Sequence, residues 1–186
     1  FTRYLHGVKN NVENDAKAWI VRENDKRTEP TAYKDYPNPA AEQVEFHLTK
    51  GGIKAGGLSI NKKRNKTEET LVDDHNISGN DLAKSINSKN RLLFVTPTLT
   101  KDIHISGVAN ITVKIASSKP AANLSVWLVS LPWDETKGAK ITENIITRGW
   151  ADLQNHKSLR KSKPLKPGTF YQMAFDLQPD DQIIKK

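Results

Sequence analysis

The residue types best suited to chemistry in this chain are five histidines, His6, His47, His75, His104 and His156, and an acidic run around one of them. No two histidines stand at the H-x-x-x-H spacing that brings a pair of imidazoles onto one helix face to hold a metal. His47 and His104 sit inside alternating runs, so each is expected to face solvent or a neighbouring loop. Asp73-Asp74-His75-Asn76 is the most site-like cluster, because paired carboxylates beside an imidazole can bind a cation or shift a pKa. The Gly and Glu of a calcium loop are missing from the required offsets. An acyl-transfer serine needs a strained G-x-S-x-G elbow to project its hydroxyl. The nearest approach, Gly57-Leu58-Ser59-Ile60-Asn61, lacks the closing glycine. There is no cysteine, which excludes disulfides, thiolate metal sites and a thiol nucleophile. Trp127, Trp133 and Trp150 could together form a sugar-stacking platform. Trp127 lies in an apolar run and reads as core, Trp133 follows Pro132 in a turn, and Trp150 reads as packing at a domain edge. No residue is singled out as catalytic, cofactor-binding or metal-ligating, and no cofactor is implied.

The elements that would have to position such groups are short β-type runs. Leu92–Val95, Ile103–Ile105, Ile111–Ile115, Leu124–Val129 and Phe170–Phe175 each read as a strand. Thr96-Pro97, Ser106-Gly107, Ser118-Lys119-Pro120, Leu131-Pro132 and Pro167-Gly168 separate them. Strands recurring every ~8–12 residues with turn signals between them indicate an all-β sandwich or barrel. Upstream, Lys17–Val21 reads as a strand. Val44, Phe46 and Leu48 alternate with Glu45 and His47 as a half-buried strand. Gly51-Gly52 and Gly56-Gly57 bracket the turn into its hairpin partner, Leu58-Ser59-Ile60. Tyr33–Pro39, with two prolines, is expected to be an extended surface loop. Residues 61–91 read as a polar excursion with one short helix over Asp81–Ile86, capped by Ser78 or Asn80. Phe1, Tyr4, Leu5 and Val8 fall on one helical face, which must bury itself on something.

At 186 residues the chain amounts to one domain, or one domain plus the remnant of another. A hydrophobic content of 36% and a mean hydropathy of −0.64 are low for a self-contained globular protein, yet above the disordered regime. No run approaches the ~18 apolar residues of a membrane span, and Phe1–Asn10 has no apolar core of a signal peptide. The chain starts without Met, which suggests a processed product or a piece of a longer protein. The net charge is +8, concentrated in Lys62, Lys63, Arg64 and Lys66 and in Lys157, Arg160, Lys161, Lys163 and Lys166. Such clusters can bind nucleic acid. Neither is interleaved with the aromatic residues a single-strand binding face stacks on bases, so solvated loops are the simpler reading.

Several runs carry a resemblance beyond their periodicity. Phe94-Val95-Thr96-Pro97-Thr98-Leu99 followed by Ile105-Ser106-Gly107 resembles the strand that opens the C-terminal domain of Xaa-Pro dipeptidyl-peptidases, notably those of lactic acid bacteria. Ile146-Thr147-Arg148-Gly149-Trp150-Ala151-Asp152 is similar to the same family. So is Pro164–Tyr171 leading into Phe175–Asp181. Trp19–Glu23 and Tyr33–Pro39 are similar to the stretch just after the family's catalytic domain, and Phe1–Gly7 resembles that domain's last helix.

The resemblance implies a jelly-roll β-sandwich of galactose-binding-like type over residues 17–186. Residues 1–16 would be the tail of a preceding α/β-hydrolase domain. The parent would be a serine peptidase with a Ser-Asp-His triad upstream of Phe1, releasing Xaa-Pro dipeptides from peptide N-termini. It would be cytoplasmic and often a homodimer. The partners would be the catalytic domain of the same polypeptide and proline-containing peptides, with no nucleic acid and no membrane. The family's sandwich continues past Lys186, so a truncated fold with a bare sheet edge is expected here. The alternative is a stand-alone carbohydrate- or cell-surface-binding module on the same fold.

Overall fold

The computed structural model describes residues 1–22, 26–61, 68–134 and 141–186. The Lys62–Lys66 cluster and Glu23 lie outside the described residues. The described chain contains eleven strands and two α-helices, with short 3-10 turns between them. They are α1 (Thr2–His6), β1 (Ala18–Ile20), β2 (Thr31–Tyr33), β3 (His47–Leu48), β4 (Gly56–Ser59), α2 (Gly79–Lys84), β5 (Phe94–Val95), β6 (Ile103–Gly107), β7 (Asn110–Ile115), β8 (Asn123–Val129), β9 (Ile145–Asp152), β10 (Tyr171–Asp176) and β11 (Asp180–Ile184).

The strands pair as open ribbons. β1–β2, β6–β11, β7–β10 and β8–β9 are antiparallel pairs, and β3–β4–β5 is a three-stranded sheet whose β4–β5 contact is parallel. None closes on itself, and the arrangement is that of an all-β sandwich. The expected strands through the second half of the chain are present. Sequence reading passed over β2, β11 and the strand character of β9.

Alternation decides which side of each ribbon is inside. On β9, Thr147, Gly149 and Ala151 are buried, while Arg148 and Trp150 face out. Opposite them on β8, Leu124, Val126 and Leu128 share the inner face by register. β9 packs against β10 and β11. There Met173, Leu177, Leu165 and the fully buried Leu153 complete the core.

The 61–91 excursion is tied down at its described end. Ser78 caps α2, its hydroxyl accepting from the Asp81 backbone N–H at 3.2 Å and donating to the Asp81 carboxylate at 2.7 Å. The helix begins two residues before the expected Asp81 because that cap is satisfied at Ser78, and it ends before Ile86. Arg91 folds back on its C-terminus, donating from Nε to the Leu82 carbonyl at 3.0 Å and also to the Ser85 carbonyl. The Leu82 carbonyl also accepts from the hydroxyl of the C-cap Ser85 at 2.8 Å. A third Arg91 bond, to the Lys54 carbonyl at 3.3 Å, links α2 to the β3–β4 turn. The tip of the Trp127 indole lies against Gly79, so α2 covers one end of β8. Ser78→Ala should lower stability by about 1 kcal/mol, the usual value of an N-cap, read as a drop in the urea midpoint with unchanged m-value.

The Tyr33–Pro39 segment lies at the surface as expected over Lys34, Asp35, Pro37 and Pro39, but it is anchored at Tyr33, Tyr36 and Asn38. Tyr33 ends β2 and is buried, and the turn after it docks on the β6–β11 ribbon. The Tyr36 hydroxyl donates to the Asp180 carbonyl at 3.1 Å, and the Asn38 N–H donates to Ser106 Oγ at 3.0 Å. Pro37 seats on Gly107, whose φ of 126° favours glycine and where an added Cβ would lie 3.1 Å from Pro37 Cβ. The two prolines are themselves exposed, and the aromatic ring of Tyr36 with the carbonyls it reaches decides how the segment docks.

Candidate functional site

The most concentrated group of polar side chains is assembled by four segments far apart in sequence. Asp181 sits on β11 directly opposite Ser106 of β6, and His104 lies one diagonal step away on the same face. The β1–β2 hairpin brings Tyr33, at the end of β2, and Arg22, just after β1, against them. Asp181 Oδ1 accepts from the Tyr33 hydroxyl at 3.2 Å, lies 2.9 Å from His104 Nε2 and pairs with Arg22 Nε at 3.3 Å. Arg22 Nε and Nη2 also donate to the Tyr33 hydroxyl at 3.1 and 3.0 Å. The Asp181 side chain is only 4% exposed, and its Oδ2 is buried without a hydrogen-bond partner among the described residues.

Burial pushes the Asp181 carboxyl pKa up. The hydroxyl of Ser106, the bonds and charge of His104 and the bond from Tyr33 outweigh it and hold the carboxyl below the usual carboxylate value. Burial, with the Asp181 and Asp180 charges nearby, pushes the Tyr36 hydroxyl up, so it remains a neutral donor. A carboxyl whose pKa is lowered on folding contributes stability above its unfolded value of about 3.9, and that stability is lost as pH falls through the folded value. The melting temperature of the wild type should therefore fall below about pH 4, and its advantage over Asp181→Asn should shrink across the same range. An advantage unchanged down to pH 3 in a thermal melt series would contradict this.

An Asp–His pair invites comparison with a catalytic triad, but the connectivity is wrong. In a triad the imidazole binds the carboxylate with one nitrogen and a nucleophile with the other. Here no serine or threonine hydroxyl among the described residues is hydrogen-bonded to His104. Ser106 Oγ is held by the Asn38 N–H. The geometry makes the group a clamp between the β1–β2 hairpin and the β6–β11 ribbon. His104 stays open to solvent as expected, with its side chain 30% exposed, while its Nε2 is turned to Asp181. Sequence reading missed the cluster. The one local signal was an acidic pair, Asp180-Asp181, opening an otherwise apolar strand.

The other sequence candidates stay apart. His47 lies 3.7 Å from Glu45 on the exposed hairpin. His156 stacks on Tyr171 with ring centroids 4.6 Å apart and bonds the Leu153 carbonyl. His6 is in the last turn of α1, and His75 is exposed. Asp74 accepts from the Asn76 backbone and side-chain N–H groups at 3.1 and 3.0 Å, so its carboxylate closes its own turn. Among the described residues no group of three or more His, Asp or Glu side chains is placed to hold a metal ion. Ser59 lies in β4, and its hydroxyl accepts from the Asn61 N–H. Trp127 and Trp150 share the outer face of β8–β9, where Arg148 lies 5.3 Å from the Trp150 ring centroid. Trp127 is half-buried under α2, and Trp133 is half-buried beyond the Leu131-Pro132 bond. Trp150 alone of the three is open, at 57% exposure. The Lys157–Lys166 cations are exposed on the segment after β9. Among the described residues no helix is long and apolar enough to cross a membrane.

Residues 10–186 match the model of the X-Pro dipeptidyl-peptidase C-terminal non-catalytic domain. The chain belongs to this family. A provisionally named Xaa-Pro dipeptidyl-peptidase of Rhodopirellula baltica is 51% identical over 186 residues, covering 100% of this chain and 30% of that protein. A similarly named protein of Bacillus anthracis is 32% identical over 192 residues, again covering 100% of this chain and 30% of the relative. The Xaa-Pro dipeptidyl-peptidase of Lacticaseibacillus rhamnosus is 28% identical over 214 residues, with 96% of this chain and 26% of that enzyme covered. The likeness to lactic acid bacterial enzymes is thus real, though at lower identity than to the Rhodopirellula protein. The chain spans about 30% of the length of the curated relatives it matches. As a member of this non-catalytic family it is an accessory domain.

Proposed function

We propose that this domain serves a serine Xaa-Pro dipeptidyl-peptidase, packing against an α/β-hydrolase domain of the same polypeptide and contributing no catalytic group. The observation that carries the reading is the family match over residues 10–186, together with relatives in which this region is about 30% of the length. The parent would cleave Xaa-Pro dipeptides from peptide N-termini by acyl transfer, with a serine nucleophile and a histidine base lying outside this chain. Residues 1–16 would belong to the hydrolase and residues 17–186 to a galactose-binding-like jelly roll. The bare apolar side of α1, with Phe1, Tyr4, Leu5 and Val8 all exposed, fits a helix whose cover lies in another domain. Cytoplasmic location and homodimerisation belong to the same reading of the parent.

The test is hydrolysis of an Ala-Pro-anilide by the longer gene product, with this 186-residue chain as control. Activity in the long form and none in the short is expected. Activity in the short chain would overturn the reading, and silence in both would favour the carbohydrate-binding module.

A further inference from the structure

The β3–β4–β5 sheet is amphipathic with its apolar side bare. Leu48 pairs with Leu58 across the β3–β4 hairpin, and Phe46 and Ile60 lie next to its strands in sequence. Gly56 shares that face and pairs with Phe94 of β5. Added Cβ atoms on Gly56 and Gly52 would lie 2.7 and 2.9 Å from the Phe94 ring, so the two glycines let that ring lie down beside Leu58. The opposite face carries His47, Thr49 and Ser59. An antiparallel sheet with one wet side normally turns its polar face to water. Here Phe46, Leu48 and Ile60 are 45%, 41% and 65% exposed, and Val44 extends the stripe. Contiguous exposed apolar area on this scale marks an interaction surface.

We propose that this face docks the part of the polypeptide that lies outside this chain in its longer relatives, through an apolar surface with an acidic rim. The inference rests on the accessory-domain reading. Two observations select the occupant. About 70% of the length of the matched relatives lies outside this chain, which supplies a partner at high effective concentration. Lys50 and Lys54 border the hairpin turn, exposed and without ion pairs among the described residues. Two copies meeting on this face would bring Lys50 and Lys54 of each together, whereas an acidic rim would neutralise them. A second copy of the chain is therefore the disfavoured occupant. Among the described residues, eleven of the 21 exposed large apolar side chains precede Asn61, in the third of the chain nearest α1. The docking surface is thus continuous in sequence with the helix assigned to the neighbouring domain.

The experiment uses the longer gene product with its own cysteines replaced. Single variants Ile60→Cys, Leu48→Cys and Leu159→Cys are labelled with a maleimide under native conditions. Leu159 is 90% exposed and lies on a different segment. Thiols at positions 60 and 48 should react at least about tenfold more slowly than the one at 159, because an interface core excludes water and reagent. Equal rates at folded positions 60 and 159 would overturn the proposal. So would protection that disappears on dilution, which would identify a second copy as the cover. Xaa-Pro hydrolysis is measured on the same samples. Activity with an unprotected position 60 removes the docking face and leaves the functional reading standing. Protection without activity removes that reading and leaves a covered face.

Discussion

Asp181→Ala should lower the unfolding free energy by about 3–4 kcal/mol, more than any other single polar substitution in this domain. Three donors converge on one buried oxygen: Tyr33, His104 and Arg22. Removing the carboxylate takes away the one acceptor on which Tyr33, His104 and Arg22 converge. Breaking a buried pair by removing one partner costs about 3–5 kcal/mol. Arg22 keeps part of its solvation, with its side chain 22% exposed, which places the expected value toward the lower end. Asp181→Asn preserves shape and one acceptor, so it should cost roughly half as much. The loss should appear in urea unfolding as a lower midpoint. The β1–β2 hairpin should become the first segment to exchange its amide hydrogens, since the clamp is what joins it to β6–β11. A loss below about 1 kcal/mol would mean that the pair is no better than a surface salt bridge.

Leu153→Ala should cost about 3 kcal/mol. Leu153 is the one large side chain with no exposed area among the described residues. It sits where β9 turns into the segment returning toward β10, and its N–H donates to the Ala122 carbonyl at 3.0 Å. Truncation removes three buried carbons and leaves a void that the surroundings can fill only in part. Leucine-to-alanine changes at such sites cost about 2–5 kcal/mol. Leu159→Ala is the control: the same chemistry at a 90% exposed position should change stability by less than about 0.5 kcal/mol. Thermal melts of the two variants side by side separate burial from composition.

The contrast between β7 and β11 shows what the sequence could reveal. Asn110–Ile115 alternates apolar and polar residues with β-branched side chains at Ile111, Thr112, Val113 and Ile115, and the structure buries the odd positions more than the even ones. Such a period is local and is read directly. β11 begins with Asp180-Asp181, and aspartate is depleted in strands. Its place is fixed by β6, some 75 residues away, and by a clamp drawing on positions 22, 33 and 104. No window of ten or fifteen residues contains that information. The β3 hairpin shows a third case. The alternation of Val44, Phe46 and Leu48 was legible, yet the sense of burial was not, since these side chains are exposed. Alternation reports which residues share a face, not whether this chain supplies the cover. In the Tyr33–Pro39 segment the prolines pointed to a surface loop, while its docking through Tyr36 to the carbonyls of Gly107 and Asp180 was not legible.

The candidate site follows the same logic. Each histidine was visible, and the spacing argument against a metal pair needed only sequence. That His104 is a clamp component required the fold, because its partners are contributed by β2 and β11.

The most direct test of the central claim is to find the nucleophile of the longer gene product. The intact protein is treated with a fluorophosphonate, which modifies an activated serine, then digested and mapped by mass spectrometry. The account predicts a single labelled serine in a peptide outside these 186 residues. A label on any serine within them, Ser59 or Ser106 included, would contradict it.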